Sequence, residues 1–153
     1  KAKDSGAKIY SDGDFRVIIV APALSKERDV TLKALRIAED VERILTVYNR
    51  RSAKKVDFGI GLNIGELIVD STKEGKFKFV SVDNTISSAK KVANSSDKEV
   101  LFTEKVRRKT AGKIKAKKVD DREVWRLERV TDRSEHVDYI TKFKEKQKGT
   151  DRY

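Results

Sequence analysis

Few side chains in this chain are equipped to do chemistry, and their types narrow the reactions at once. There is no cysteine, so neither a disulfide nor a thiolate metal site can form. The single histidine, His136, lies in a polar stretch near the C-terminus, which leaves His-based triads and most zinc sites without material. Carboxylates and cations remain. Asp12 and Asp14 flank Gly13 between two apolar runs in AKIYSDGDFRVIIVAP, and carboxylate oxygens are what hard divalent cations take as ligands. Both belong to one turn, however, and an Asp-Gly pair between strands is first of all a turn signal. Among the cations, Lys117 and Lys118 lie in IKAKKVDDREVWRL, from Ile114 to Leu127. The plainest reading of that basic strand pair is a solvated face.

The elements that must position these residues centre on VDFGIGLNIGELIVD and KFKFVSVDNTISSAKKV, which together span Val56 to Val92. Apolar residues on both sides of Asn63-Ile64-Gly65 predict two strands joined by a short hairpin loop, with Gly65 at positive φ. Gly59 and Gly61 inside the first strand predict a bulge or a close backbone approach. Ile86, Ala89, Val92 and Ala93 then form the apolar stripe of a helix capped by Asp83, Asn84 or Thr85.

In wording and order this block resembles the second half of a class III nucleotidyl cyclase homology domain, in which GIGxxxGExxxG is followed by a strand and then by GDxVNxAxRL. AKIYSDGDFRVIIVAP is similar to the family's metal-bearing hairpin, and IKAKKVDDREVWRL to its last hairpin. The resemblance implies an α+β fold, a mostly antiparallel sheet with helices packed on it, ferredoxin-like and nucleotidyl-cyclase-like. It also implies a head-to-tail homodimer, and conversion of ATP or GTP to a cyclic nucleotide and pyrophosphate with Mg²⁺ or Mn²⁺.

Carried over residue by residue, the resemblance is to the fold and not to its chemistry. The family's transition-state Asn and Arg fall on Ser87 and Lys91. A guanidinium forks onto phosphate oxygens while an ammonium is a point charge, so that exchange is not conservative. Asp14 matches a metal ligand, with Asp12 a poorer candidate. The family's other metal Asp lies on an earlier central strand, yet only thirteen residues precede Asp14 and none forms an apolar run. The base-selecting positions fall on Tyr10 and Val80, neither able to make the usual base contact. Lys117 matches a triphosphate-contacting lysine, with Lys118 where Gly is usual.

Around this block the periodicity predicts a helix over Lys26 to Asn49, with Ala34, Ile37, Ala38, Val41, Ile44, Leu45 and Tyr48 as its buried stripe. Arg28, Lys33, Arg36, Glu39, Asp40, Glu42 and Arg43 form its solvated face. Ser71 to Lys76 reads as a turn, Glu99 to Phe102 as a short strand, and Thr103-Glu104 as the start of a brief helix that stops near Gly112. Strands near Ile114–Val119 and Glu123–Glu128 follow. Residues 1–130 form the cyclase-like domain and 131–153 a polar C-terminal helix or tail that has little to bury.

The bulk composition fits one cytoplasmic domain: 153 residues, 37% hydrophobic, with no apolar stretch near the ~20 residues that cross a bilayer. The chain has no Met, not even a first one, as expected of a piece of a longer protein; an upstream segment, a neighbouring chain or a rearranged edge would then stand in for the family's first strand. A charged fraction of 40% leans toward heat-adapted usage. The net charge of +11 favours nonspecific nucleic acid, anionic lipid or an acidic partner domain. The leading expectation is a catalytically degenerate cyclase-like domain acting in dimerisation, regulation or nucleotide sensing. The alternatives are an active adenylate or guanylate cyclase completed by an upstream segment, and a basic nucleic-acid-binding module.

Overall fold

The computed structural model describes residues 7–22, 29–71, 77–81, 84–120 and 122–131, with the backbone alone at 69–71 and 77–81. The expected tail, the Ser71–Lys76 turn beyond Ser71, the cap candidate Asp83 and His136 lie outside that set. Strands β1 (Lys8–Asp12) and β2 (Phe15–Ile19) form a hairpin. Helix α1 (Val30–Arg51) follows, then β3 (Ile60–Leu62), β4 (Leu67–Ser71) and β5 (Phe77–Ser81). Helix α2 (Thr85–Asn94), β6 (Val100–Thr103), α3 (Glu104–Lys109), β7 (Ile114–Lys118) and β8 (Val124–Val130) complete the order.

Four of these strands make one sheet in the order β3-β6-β8-β7, and β1-β2 and β4-β5 are separate antiparallel pairs. The fold is α+β with mostly antiparallel pairing, as expected; β3 beside β6 is the one parallel pair among the described residues. One expectation fails here. β3 and β4 are not the arms of a hairpin, because β3 pairs Ile60 with Val100 of β6 while β4 pairs Leu67 with Ser81 of β5. Gly65 is not at positive φ either, since the described glycines that are so placed are Gly13 and Gly112.

The period-2 alternation of β3 gives its two faces to two helices. Ile60 and Leu62 pack on the core formed by Leu35 and Ala38 of α1, Val100 and Phe102 of β6, Val106 of α3 and Leu127 of β8. Gly59 and Gly61 turn the other way. A Cβ on either would lie 2.3 Å from backbone atoms of Ala93 in α2, so the expected close backbone approach is real and its partner is α2. β6 is buried on both faces in the same way, as a parallel strand needs to be.

Helix α1 starts later than the periodicity indicates, because Asp29 caps it by accepting from the Leu32 N–H at 3.0 Å. Its buried residues are Leu32, Lys33, Leu35, Ile37 and Ala38, whereas Ile44 and Tyr48 of the expected stripe are 51% and 47% exposed. The apolar stripe outruns the sheet beneath it. The expected solvated face is also interrupted: Lys33 is buried, and Glu39 accepts from the Val130 N–H at 3.0 Å, closing the end of β8.

Asp29 also receives a hydrogen bond from Lys113 at 2.7 Å. Partial burial works to raise its pKa, but that bond, the Leu32 N–H and the Lys113 and Arg36 charges more than offset the effect and hold the carboxyl below its usual range. A group whose pKa is lower folded than unfolded adds stability above its unfolded pKa, and loses it as the pH falls through the folded value. Asp29→Ala is therefore expected to cost ~1–2 kcal/mol near neutrality, with the deficit shrinking in acid; denaturant titrations at neutral and acidic pH measure both.

Candidate functional site

The hairpin tip is a two-residue loop, Gly13-Asp14, closed by the Asp12–Phe15 pair. Gly13 has φ +58 with nothing near an added Cβ, which suits the first central position of a II′ turn. Alternation places Tyr10, Asp12, Phe15 and Val17 on one face of the hairpin. Tyr10, Phe15 and Val17 there are half-buried, while the opposite face leaves Ile9 and Ile18 each 37% exposed.

Asp12 does not point into free space. Its carboxylate is ion-paired with the ammonium of Lys90 in α2, a short contact in which the lysine is the less exposed partner. The same ammonium stands 5.4 Å above the Phe15 ring centroid, a cation–π geometry. Lys90 thus fastens the hairpin tip to the helix turn that carries Ser87 and Lys91. Ser87 is exposed and its hydroxyl donates to the Asn84 carbonyl at 3.1 Å, inside the first turn of α2. Lys91 is exposed.

The position of α2 is itself over-determined. Its backbone lies on Gly59 and Gly61, and Asn63, just beyond β3, donates through Nδ2 to the Thr85 carbonyl at 3.2 Å while its Oδ1 accepts from Thr103 at 2.8 Å. Asn63 therefore joins the ends of β3 and β6 to the start of α2. An added Cβ on Gly65 would lie 2.0 Å from the Thr85 hydroxyl. Sequence reasoning treated Asn63 and Gly65 as turn residues and passed over Lys90. A polar Asn inside an apolar run was the available signal for the first; nothing local marks the second.

The structure joins Asp12 to Lys90 at one hairpin–helix junction; Tyr10 and Asp14 lie on the same hairpin and Ser87 and Lys91 on the same helix as these two. Lys117 is exposed on β7, opposite Arg126 of β8, and no described contact joins it to that junction. Two cations facing each other across a ladder repel; Arg126 has Glu99 at 3.8 Å to temper this. Val80 lies in β5, where the backbone alone is described.

Among the described residues, the donor set at the hairpin tip does not fit a pair of hard divalent cations. Such a site needs carboxylates from more than one segment. Here one of the two carboxylates at the tip is already neutralised by Lys90, and the described residues contain no group of three His, Cys, Asp or Glu arranged to hold a metal.

No protein-family model matches the sequence, and no curated protein matches it significantly. Solved structures do. The guanylate cyclase domain of RhGC from Catenaria anguillulae, in complex with GTP, superposes with a TM-score of 0.68 at 17% identity, covering 84% of this chain and 76% of that one. The non-canonical dimeric guanylyl cyclase domain of the RhoGC fusion protein from Blastocladiella emersonii gives 0.69 at 18%, covering 84% and 75%. The catalytic core of a rhodopsin-guanylyl cyclase with converted specificity, in complex with ATPαS, gives 0.63 at 17%, covering 82% and 74%. The chain has the nucleotidyl cyclase domain fold. At these identities the likeness is one of fold, and function has to be argued from the site. Among the described residues no helix is long and apolar enough to cross a membrane.

Proposed function

We propose that this chain is a cyclase-fold domain that does not cyclise nucleotides, and that it acts by binding, as a nucleotide-sensing or regulatory module. One observation carries the reading: the Lys90 ammonium sits on Asp12, at the turn that the resemblance equates with the metal-bearing hairpin, one residue from Lys91 and one helical turn from Ser87. Cyclisation demands that charge developing on phosphate be met by groups held ready for it. Ser87 spends its hydroxyl on the helix backbone, and Lys91 offers one point charge where a planar fork would grip two oxygens.

Binding asks less. A polyphosphate needs cations and backbone N–H groups, and the junction offers Lys91 with the α2 N-terminus, whose cap Asn84 makes no side-chain bond to it. Lys117, which the resemblance equates with a triphosphate-contacting lysine, is the second cation of this reading. Pairing of two copies belongs to the same proposal, since one of the similar domains is a dimer.

Titration of GTP and ATP, with Mg²⁺ and with chelator, tests the binding half. Affinity is expected to survive removal of the metal and to fall about tenfold for each of Lys91→Ala and Lys117→Ala, the scale of a charge-assisted hydrogen bond. Strict dependence on Mg²⁺, with no effect of either substitution, would contradict it.

A further inference from the structure

Seven large apolar side chains are more than a third exposed among the described residues, and four of them gather at one end of α1. Ile44, Val47 and Tyr48, at 51%, 38% and 47%, share a helix face through their i, i+3, i+4 spacing. Val56, 40% exposed, is held to the same end of the helix. Asn49 donates to its carbonyl at 2.9 Å and accepts from its N–H at 2.8 Å, so the chain leaving the helix is strapped back against it.

Cations crowd the same stretch of chain. Arg50, Arg51, Lys54 and Lys55 are all exposed, Lys55 donating one hydrogen bond to the Asn49 carbonyl, and no Asp or Glu occurs between Ile44 and Val56. Elsewhere in α1 the charges are interleaved by sign, as with Arg43 on Asp40 at 2.6 Å. The fully buried residues of α1 end at Ala38, and Ile44, Val47 and Tyr48 of its last turns are exposed.

The chemistry of the patch selects its occupant. A second copy seated patch to patch would bring four cations against four. A nucleic acid would take the cations but has no use for Ile44, Val47 and Val56. The boundary between headgroups and acyl chains takes both, with phosphates for Arg and Lys, hydrocarbon for the aliphatic side chains, and an interfacial place for the amphipathic ring of Tyr48. We propose that this end of α1 docks onto an anionic lipid surface, with Ile44, Val47, Tyr48 and Val56 entering the interface and Arg50, Arg51, Lys54 and Lys55 on lipid phosphates. The proposal is independent of the nucleotide reading.

Vesicle flotation of the full chain decides it, using phosphatidylcholine alone and phosphatidylcholine mixed with phosphatidylserine. Binding is expected to the anionic vesicles only, and to be weakened by salt. Each cation near such a surface contributes about fivefold. The Arg50→Ala, Arg51→Ala, Lys54→Ala, Lys55→Ala variant should then lose about several hundredfold in partitioning. Lys105→Ala, Lys109→Ala, Lys118→Ala, Arg122→Ala has the same net charge and should bind within a few-fold of the parent. Ile44→Ser with Tyr48→Ser changes no charge and should lose about tenfold or more through missing apolar burial. The substituted residues are exposed, and circular dichroism verifies that each variant is folded. Failure of the parent to bind, equal loss in the two quadruple variants, or full binding by the Ile44→Ser, Tyr48→Ser variant would each overturn the proposal. So would loss of self-association by the patch variant in sedimentation equilibrium, which would assign the patch to a second copy, or a tighter hold on an acidic peptide than on the vesicles.

Discussion

Gly61→Ala is expected to be among the most damaging single substitutions in this chain, and Gly61→Val to prevent folding. A Cβ at position 61 would meet the Ala93 nitrogen at 2.3 Å, the Ala89 carbonyl oxygen at 2.5 Å and the Ala93 Cα at 2.9 Å, all of them α2 backbone. Backbone cannot rotate aside as a side chain can, so the helix must lift off β3, drawing its own buried Val92 outward and loosening its packing on β6. Overpacking of this kind belongs with the exceptional substitutions that cost ~4 kcal/mol or more, against a total stability of ~5–15 kcal/mol for an ordinary domain. Gly65→Ala collides with a side chain, Thr85, that is itself 7% exposed, and should cost ~1–3 kcal/mol. Gly13→Ala meets nothing and bears only the strain of φ +58, ~1 kcal/mol. Denaturant unfolding followed by the fluorescence of Trp125, the single tryptophan, gives the order. Trp125 suits this use because its indole donates to Glu104 at 2.6 Å and lies under the Arg107 guanidinium. Gly61→Ala as stable as Gly13→Ala would show that α2 does not rest on β3 in this way.

Local signals carried much of this fold. The Asp-Gly turn, the α1 periodicity, the strand pair ending the domain and the wording around Gly59 and Gly61 all led to elements that exist, because each rests on spacing or turn chemistry within a few residues. Pairing did not follow from the same signals. Two apolar runs around Asn63-Ile64-Gly65 look like a hairpin, but β3 finds its ladder in β6, from Val100 onward, and the parallel crossover leaves no mark on the loop itself. Gly65 was correctly singled out and wrongly explained, since space beside Thr85 and not positive φ demands a glycine there. The exposed half of α1 is a similar case. Periodicity tells which residues share a face, while the width of the sheet below decides how many of them are covered.

At the candidate site, Ser87 and Lys91 could be picked out because a family pattern could be laid over them. Lys90 was not, since it matches no family position. Its role comes from the hairpin tip, 78 residues earlier in the chain, which folding brings to it. That contact changes the reading of Asp12 from a spare metal ligand to one half of an internal ion pair. It joins α2, the helix of Ser87 and Lys91, to the hairpin.

The absence of turnover is the claim on which this account stands, and a direct assay of cyclic nucleotide formation tests it. The chain is incubated with ATP or GTP, with Mg²⁺ and separately with Mn²⁺, and the product is measured against a blank without protein. Loss of a preorganised transition-state donor alone costs about 10²–10³ in rate, and here both matching positions are changed while an ammonium neutralises Asp12 at the hairpin tip. The expected result is no product above the blank with either nucleotide or metal. Cyclic nucleotide formed by the parent chain, abolished by Asp14→Ala and raised by Ser87→Asn with Lys91→Arg, would contradict the account and identify a working cyclase.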